Sequence, residues 1–95
     1  MEHTSKVERF GYRRLSSASP RRTQRKMKLI AVRNTFEGEA YVGCRAVGVH
    51  KGYYIERTEW APVVNLESCI SDLERIATWK YNQAIKEIEE LITGS

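Results

Sequence analysis

Residues 66–92, LESCISDLERIATWKYNQAIKEIEELI, decide the fold. Apolar side chains recur at Leu66, Ile70, Leu73, Ala77, Tyr81, Ala84, Ile88 and Leu91, in steps of three and four that match one face of a 3.6-residue helix. Cys69 and Ile76 widen this stripe on one flank, Ile85 and Ile92 on the other. At the usual rise per residue the helix is about 40 Å long. Asn65 is placed to cap it, Glu67 to complement its dipole, and Gly94 to end it. So long a rod in a chain of 95 residues needs a surface for its stripe, and that surface must come from the segment before it.

That segment reads as three strands. Residues 28–33 (KLIAVR), 40–49 (AYVGCRAVGV) and 53–60 (YYIERTEW) are rich in β-branched and aromatic residues. Glu37-Gly38 and Lys51-Gly52 fall between them, and glycine supplies the positive φ that a two-residue hairpin needs. Pro62 stops the third strand. The expected fold is α+β: a three-stranded antiparallel β-meander packed against one long C-terminal α-helix, with a basic N-terminal arm. Residues 1–26 form the arm, partly disordered, and residues 27–95 a single domain.

With both turns two residues long, a period of two assigns the faces. One face collects Leu29, Ala31, Arg33, Val42, Cys44, Ala46, Gly48, Tyr53, Ile55 and Arg57. Its middle strand is small there, so the helix is expected on this side. The other face collects Ile30, Val32, Tyr41, Arg45, Val47, Val49, Tyr54, Glu56, Thr58 and Trp60, and brings Lys28 toward Glu56 as a cross-strand pair. Both faces are apolar or aromatic, yet there is one long helix to cover them. The second face is expected to meet the arm, a second copy of the chain, or another partner.

Composition sets the frame. Hydrophobic residues make up 41% and charged residues 29% of the chain, the proportions of an ordinary globular domain. No apolar run reaches the roughly 18 residues of a membrane span. Cys44 and Cys69 sit in apolar patterns and read as reduced core thiols, which points to an intracellular, cytoplasmic setting. The net charge of +4 is unevenly spread. Residues 1–26 hold eight Lys/Arg against Glu2 and Glu8, while the rest of the chain holds eight bases against ten acids. The basicity belongs to the arm.

In the arm, Val7, Phe10 and either Arg14 or Leu15 recur at helical spacing, which admits a short helix over residues 4–15. Ser16-Ser17-Ala18-Ser19-Pro20 breaks the chain. Arg13-Arg14, Arg21-Arg22 and Arg25-Lys26 suit phosphate backbones, because guanidinium donates paired hydrogen bonds to phosphate oxygens. An acidic protein surface would attract the same charges, and a solubilising tail needs no partner. Arg13-Arg14-Leu15-Ser16 also has the form of a basophilic kinase site, and Glu2 and Glu8 argue against a transit peptide.

Tyr41, Tyr54 and Trp60, with Arg45 and Lys28 beside them, are the ingredients of a base-stacking platform on a sheet; the alternative is core or subunit packing. Trp79 falls on the polar side of the helix with Arg75 one turn before it, a pair able to stack and to contact a partner. Glu87, Glu89 and Glu90 oppose the helix dipole and suit a basic partner, the arm included. His3 and His50 have no neighbours at a ligand spacing, and no phosphate loop, nucleophile elbow or paired-Cys zinc pattern occurs.

The sequence therefore predicts a non-enzymatic binding module without cofactor. Its expected partner is nucleic acid or a nucleoprotein assembly, contacted through Arg13, Arg14, Arg21, Arg22, Arg25, Lys26, Arg45, Tyr41, Tyr54, Trp60, Arg75 and Trp79. The alternative is a small protein-interaction or inhibitor module, of the phage-regulator kind, docking on a larger complex. A homodimer is compatible with both.

Overall fold

The computed structural model describes residues 5–15 and 27–93, with backbone only for 65–69. A short helix α1 (Lys6–Arg9) and a two-residue strand β1 (Arg13–Arg14) precede three long strands. These are β2 (Lys28–Phe36), β3 (Glu39–His50) and β4 (Tyr53–Pro62). A 3-10 turn at Val63–Asn65 leads into helix α2 (Leu66–Thr93). The sheet is antiparallel in the order β1-β4-β3-β2. The α+β class is the expected one, but the sheet has four strands rather than three. Among the described residues no helix is long and apolar enough to cross a membrane.

The meander keeps its expected register. Phe36 pairs with Glu39 and His50 with Tyr53, which leaves Glu37-Gly38 and Lys51-Gly52 as two-residue turns. Glu37 (φ 52°) and Gly38 (φ 82°), like Lys51 (φ 53°) and Gly52 (φ 87°), are left-handed at both positions, the type I′ pattern that matches strand twist.

Helix α2 rests on β3 and β4, on the face whose middle strand is small. Leu73, Ala77, Tyr81, Ala84 and Ile88 are buried in one cluster with Cys44, Ala46, Ile55 and Ala61. A Cβ built on Gly48 would stand 2.1 Å from the Tyr81 hydroxyl, so the bare backbone there is what lets the helix seat. Burial pushes the phenol of Tyr81 and the thiol of Cys44 above their ordinary pKa ranges. Polar contacts pin the helix at its flanks: Lys80 pairs with Glu59 at 2.6 Å, and Glu89 pairs with Lys51 at 3.5 Å and is hydrogen-bonded to His50 at 2.7 Å. The hydrogen bond from His50 and the charge of Lys51 hold the Glu89 carboxyl below its usual range.

Two expectations about the helix change. Ile70, assigned to the core stripe, is 46% exposed, and among the described side chains of α2 Leu73 is the first that is buried. Arg75 donates to Asp72 at 2.8 Å on the preceding turn instead of stacking on Trp79. The cap and first-turn assignments at Asn65 and Glu67, the Cys69 side chain and the Gly94 stop lie outside the described residues.

Packing does not stop at the expected boundary of residue 27. Ser5 and Glu8 form a capping box for α1, and Val7 and Tyr12 enter the same core as α2. Gly11 (φ 119°) turns the chain from α1 toward β1, and the Arg13–Tyr54 and Arg14–Tyr53 pairs add β1 to the edge of β4. The Tyr12 hydroxyl donates to Glu87 and accepts from Arg57 at 3.0 Å. Its burial, with the Glu87 contact, raises the phenol to about 12. One of the three acids near the end of α2 is thus engaged by the chain's own N-terminal segment. That segment packs on the helix side of the sheet and at the β4 edge, so among the described residues the opposite face has no cover.

Candidate nucleic-acid interface on the open sheet face

Side chains of even parity in β2 and β4, and of odd parity in β3, point away from α2. They follow from the same register that seats the helix. At the β2–β3 turn, Phe36 stands edge-on to Tyr41 (centroids 5.2 Å apart) and to Trp60 (5.4 Å). Gly43 pairs with Trp60, and a Cβ there would meet the indole at 2.8 Å. The tryptophan ring therefore lies on the backbone of β3. Tyr41 and Trp60 are half-buried and Phe36 is exposed.

Arg45 occupies the middle of the face. Its Nε donates to Thr58 Oγ1 at 3.0 Å and pairs with Glu56 at 2.9 Å. The Tyr54 hydroxyl donates to the same carboxylate at 3.3 Å. Desolvation and the neighbouring Glu56 charge raise the Tyr54 pKa, so the phenol stays a donor at neutral pH. At the far end the Arg13 guanidinium lies 5.3 Å over the Tyr54 ring, an attraction between cation and π-face. The face thus runs from an aromatic cluster through Arg45 to the Arg13–Tyr54 pair.

The expected Lys28–Glu56 pair does not form. Both residues flank Val47 in one row across the sheet, so two strand spacings, about 10 Å, separate their backbones. Arg45, diagonal to Glu56 on the adjacent strand, takes the carboxylate.

The anticipated site residues divide. Tyr41, Arg45, Tyr54, Trp60 and Arg13 share the open face. Arg14 does not: it lies 4.7 Å over the Tyr53 ring on the helix side and donates to that hydroxyl at 2.6 Å. Arg75 and Trp79 belong to the outer side of α2, with Trp79 61% exposed. Arg21, Arg22, Arg25 and Lys26 lie outside the described residues, but the chain on either side of them is fixed. Leu15 donates to the Gly52 carbonyl at 2.8 Å, at the β3–β4 turn, and Lys28 pairs with Val47 near the same end of the sheet on the opposite edge. Phe36 is absent from the expected site because the first strand is expected to end at Arg33, whereas β2 runs on to Phe36. A two-residue turn at Glu37-Gly38 already requires the strand to reach it.

Among the described residues no three His, Cys, Asp or Glu side chains gather as a metal site. Comparison with family models, curated proteins and solved structures gives no match. The fold and the open face together define a sheet-and-helix domain with one aromatic, partly cationic sheet surface.

Proposed function

We propose that this protein is a non-enzymatic module that binds single-stranded nucleic acid on its open sheet face. The observation that carries the reading is the Phe36–Tyr41–Trp60 cluster, continued along the same surface by Arg45 and by Arg13 on Tyr54. Aromatic side chains on a sheet stack unpaired bases, whereas the edges of a duplex keep theirs stacked within the helix. Arg45 and Arg13 offer donors to phosphate between and beyond the stacked bases. Leu15 and Lys28, which bracket Arg21, Arg22, Arg25 and Lys26 in sequence, both lie at the Arg13–Tyr54 end of the sheet.

The test is a titration of the full chain with single-stranded and duplex oligonucleotides at two salt concentrations. The expected result is a preference for the single strand and an affinity that falls as salt rises. Trp60→Ala should cost about 1–3 kcal/mol of binding, the worth of a stacked base. Glu56→Gln, which frees Arg45, should tighten binding. An affinity indifferent to salt and to Trp60 overturns the reading. A second reading, docking on another protein, is supported by exposed Trp79 beside Ile76 on the outer side of α2; chains that ignore both kinds of oligonucleotide would favour it.

A further inference from the structure

The two edges of the sheet are treated differently. The β4 edge is blunted by β1 at Tyr53–Tyr54 and by Pro62 at its other end, two of the usual defences against strand-to-strand association. The β2 edge has neither. Nine residues pair without a bulge against β3, and among the described residues no strand lies on the other side. All but Val32 are exposed: Leu29 on the helix side, because α2 sits on β3 and β4 and stops short of β2, and Ile30 on the open face. A nine-residue edge with an unbroken row of outward backbone groups is a template for another strand.

The free backbone groups can be assigned. In a two-residue hairpin the pair next to the turn, Phe36 and Glu39, exchanges both hydrogen bonds, and bonded pairs then alternate. Residues 28, 30, 32, 34 and 36 thus bond to β3. Leu29, Ala31, Arg33 and Thr35 turn their N–H and C=O groups outward.

We propose that β2 pairs antiparallel with β2 of a second copy of this chain, about a two-fold axis at Ala31, to give one continuous eight-stranded sheet. The charges of the strand choose this partner and register. A parallel in-register pairing would set Lys28 against Lys28 and Arg33 against Arg33, which is destabilising. The Ala31-centred register sets Arg33 against Leu29, Lys28 against Asn34 and Ile30 against Val32. The two Lys28 then sit toward opposite ends, as do the two Arg33, with Lys28 and Arg33 on different faces of the sheet, and apolar residues meet on the open face. Beside the strand, the groove between β2 and α2 is lined by Leu29, Ser71, Glu74, Arg75 and Trp79, with a volume of about 480 Å³. It holds charge of both signs and an exposed indole, as suits a patch that meets itself across a two-fold axis. The inference is independent of the nucleic-acid reading; pairing would join two open faces into one surface.

Three substitutions at one position test it. The full chain should sediment at twice the mass of one chain. Ala31→Pro removes an outward N–H without touching the β2–β3 ladder, and Ala31→Lys keeps that N–H but opposes two ammonium groups across the axis; both should give folded monomers with unchanged far-ultraviolet dichroism. A hydrogen-bonded antiparallel pair has Cα atoms about 5.5 Å apart, within disulfide reach. Ala31→Cys should therefore cross-link the dimer on mild oxidation, while Arg33→Cys and the unaltered chain do not. A wild-type monomer at every concentration overturns the proposal. So does a dimer that survives both Pro and Lys with no cross-link at position 31, or an edge protected only when a foreign strand is supplied.

Discussion

Removal of residues 1–15 is expected to lower the unfolding free energy by about 3–6 kcal/mol, measured by urea denaturation. Val7 and Tyr12 are 1% and 7% exposed, in one cluster with Ile88 and Tyr53. Burying a side chain of that size is worth about 1.5–3 kcal/mol, and two leave together. Their hydrogen bonds leave too: Ser5 to Tyr53 at 3.0 Å, and Tyr12 to Arg57 and Glu87. Freed conformational entropy offsets part of the loss, which is why the range does not run higher. For a small domain this is a large share of a total of about 5–15 kcal/mol. Phe10→Ala is the control. Its ring is 59% exposed, so the substitution should change stability by about 0.5 kcal/mol or less. A shortened chain as stable as the whole would show that the N-terminal segment is a passenger on the domain.

Gly48→Ala is expected to cost about 1–3 kcal/mol as an overpacked core, although alanine is better suited than glycine to a strand interior. The new methyl carbon would lie 2.1 Å from the Tyr81 hydroxyl and 2.9 Å from the ring carbon that bears it. Tyr81 is buried between the helix and the sheet, so it cannot swing clear without lifting α2. Tyr81→Phe removes the nearest atom. In the Gly48→Ala background it should therefore recover much of the loss, a coupling readable in a double-mutant cycle. Two additive substitutions would mean that the helix is not held close to the sheet at Gly48.

The faces of the sheet were legible because a period of two and two-residue turns leave no freedom in register. Glycine at positions 38 and 52 announced those turns, and the run Cys44, Ala46, Gly48 announced where a helix could approach. The spacing of Leu73, Ala77, Tyr81, Ala84 and Ile88 needed no tertiary knowledge. The fourth strand was not legible. Arg13-Arg14 pairs for two residues only, in a segment whose composition resembles an unfolded tail. What holds it is Tyr12 meeting Glu87, 75 residues away in the chain, a contact no local pattern encodes. One local clue existed: Ser5 with Glu8 three residues on is a capping box, and it marks a helix start.

The site was legible in part for the same reason. Tyr41, Arg45, Tyr54 and Trp60 share a face, so the register alone groups them. Phe36 shares it too once the strand is carried to the turn. Arg14 and Arg13 are neighbours in sequence, and alternation along β1 sends them to opposite faces, so a count of basic residues could not separate them. The ring over which each stacks, Tyr53 for Arg14 and Tyr54 for Arg13, became visible only when β1 was paired with β4.

The central claim is that one face of the sheet stays open and that its aromatic end stacks unpaired bases. The chain has two tryptophans, so Trp79→Phe leaves Trp60 as the sole indole reporter, on the face in question. Its emission should be followed while a single-stranded oligonucleotide is added at low salt. The account predicts saturable quenching of Trp60 that is reversed by added salt; an emission that stays constant throughout the titration would contradict it.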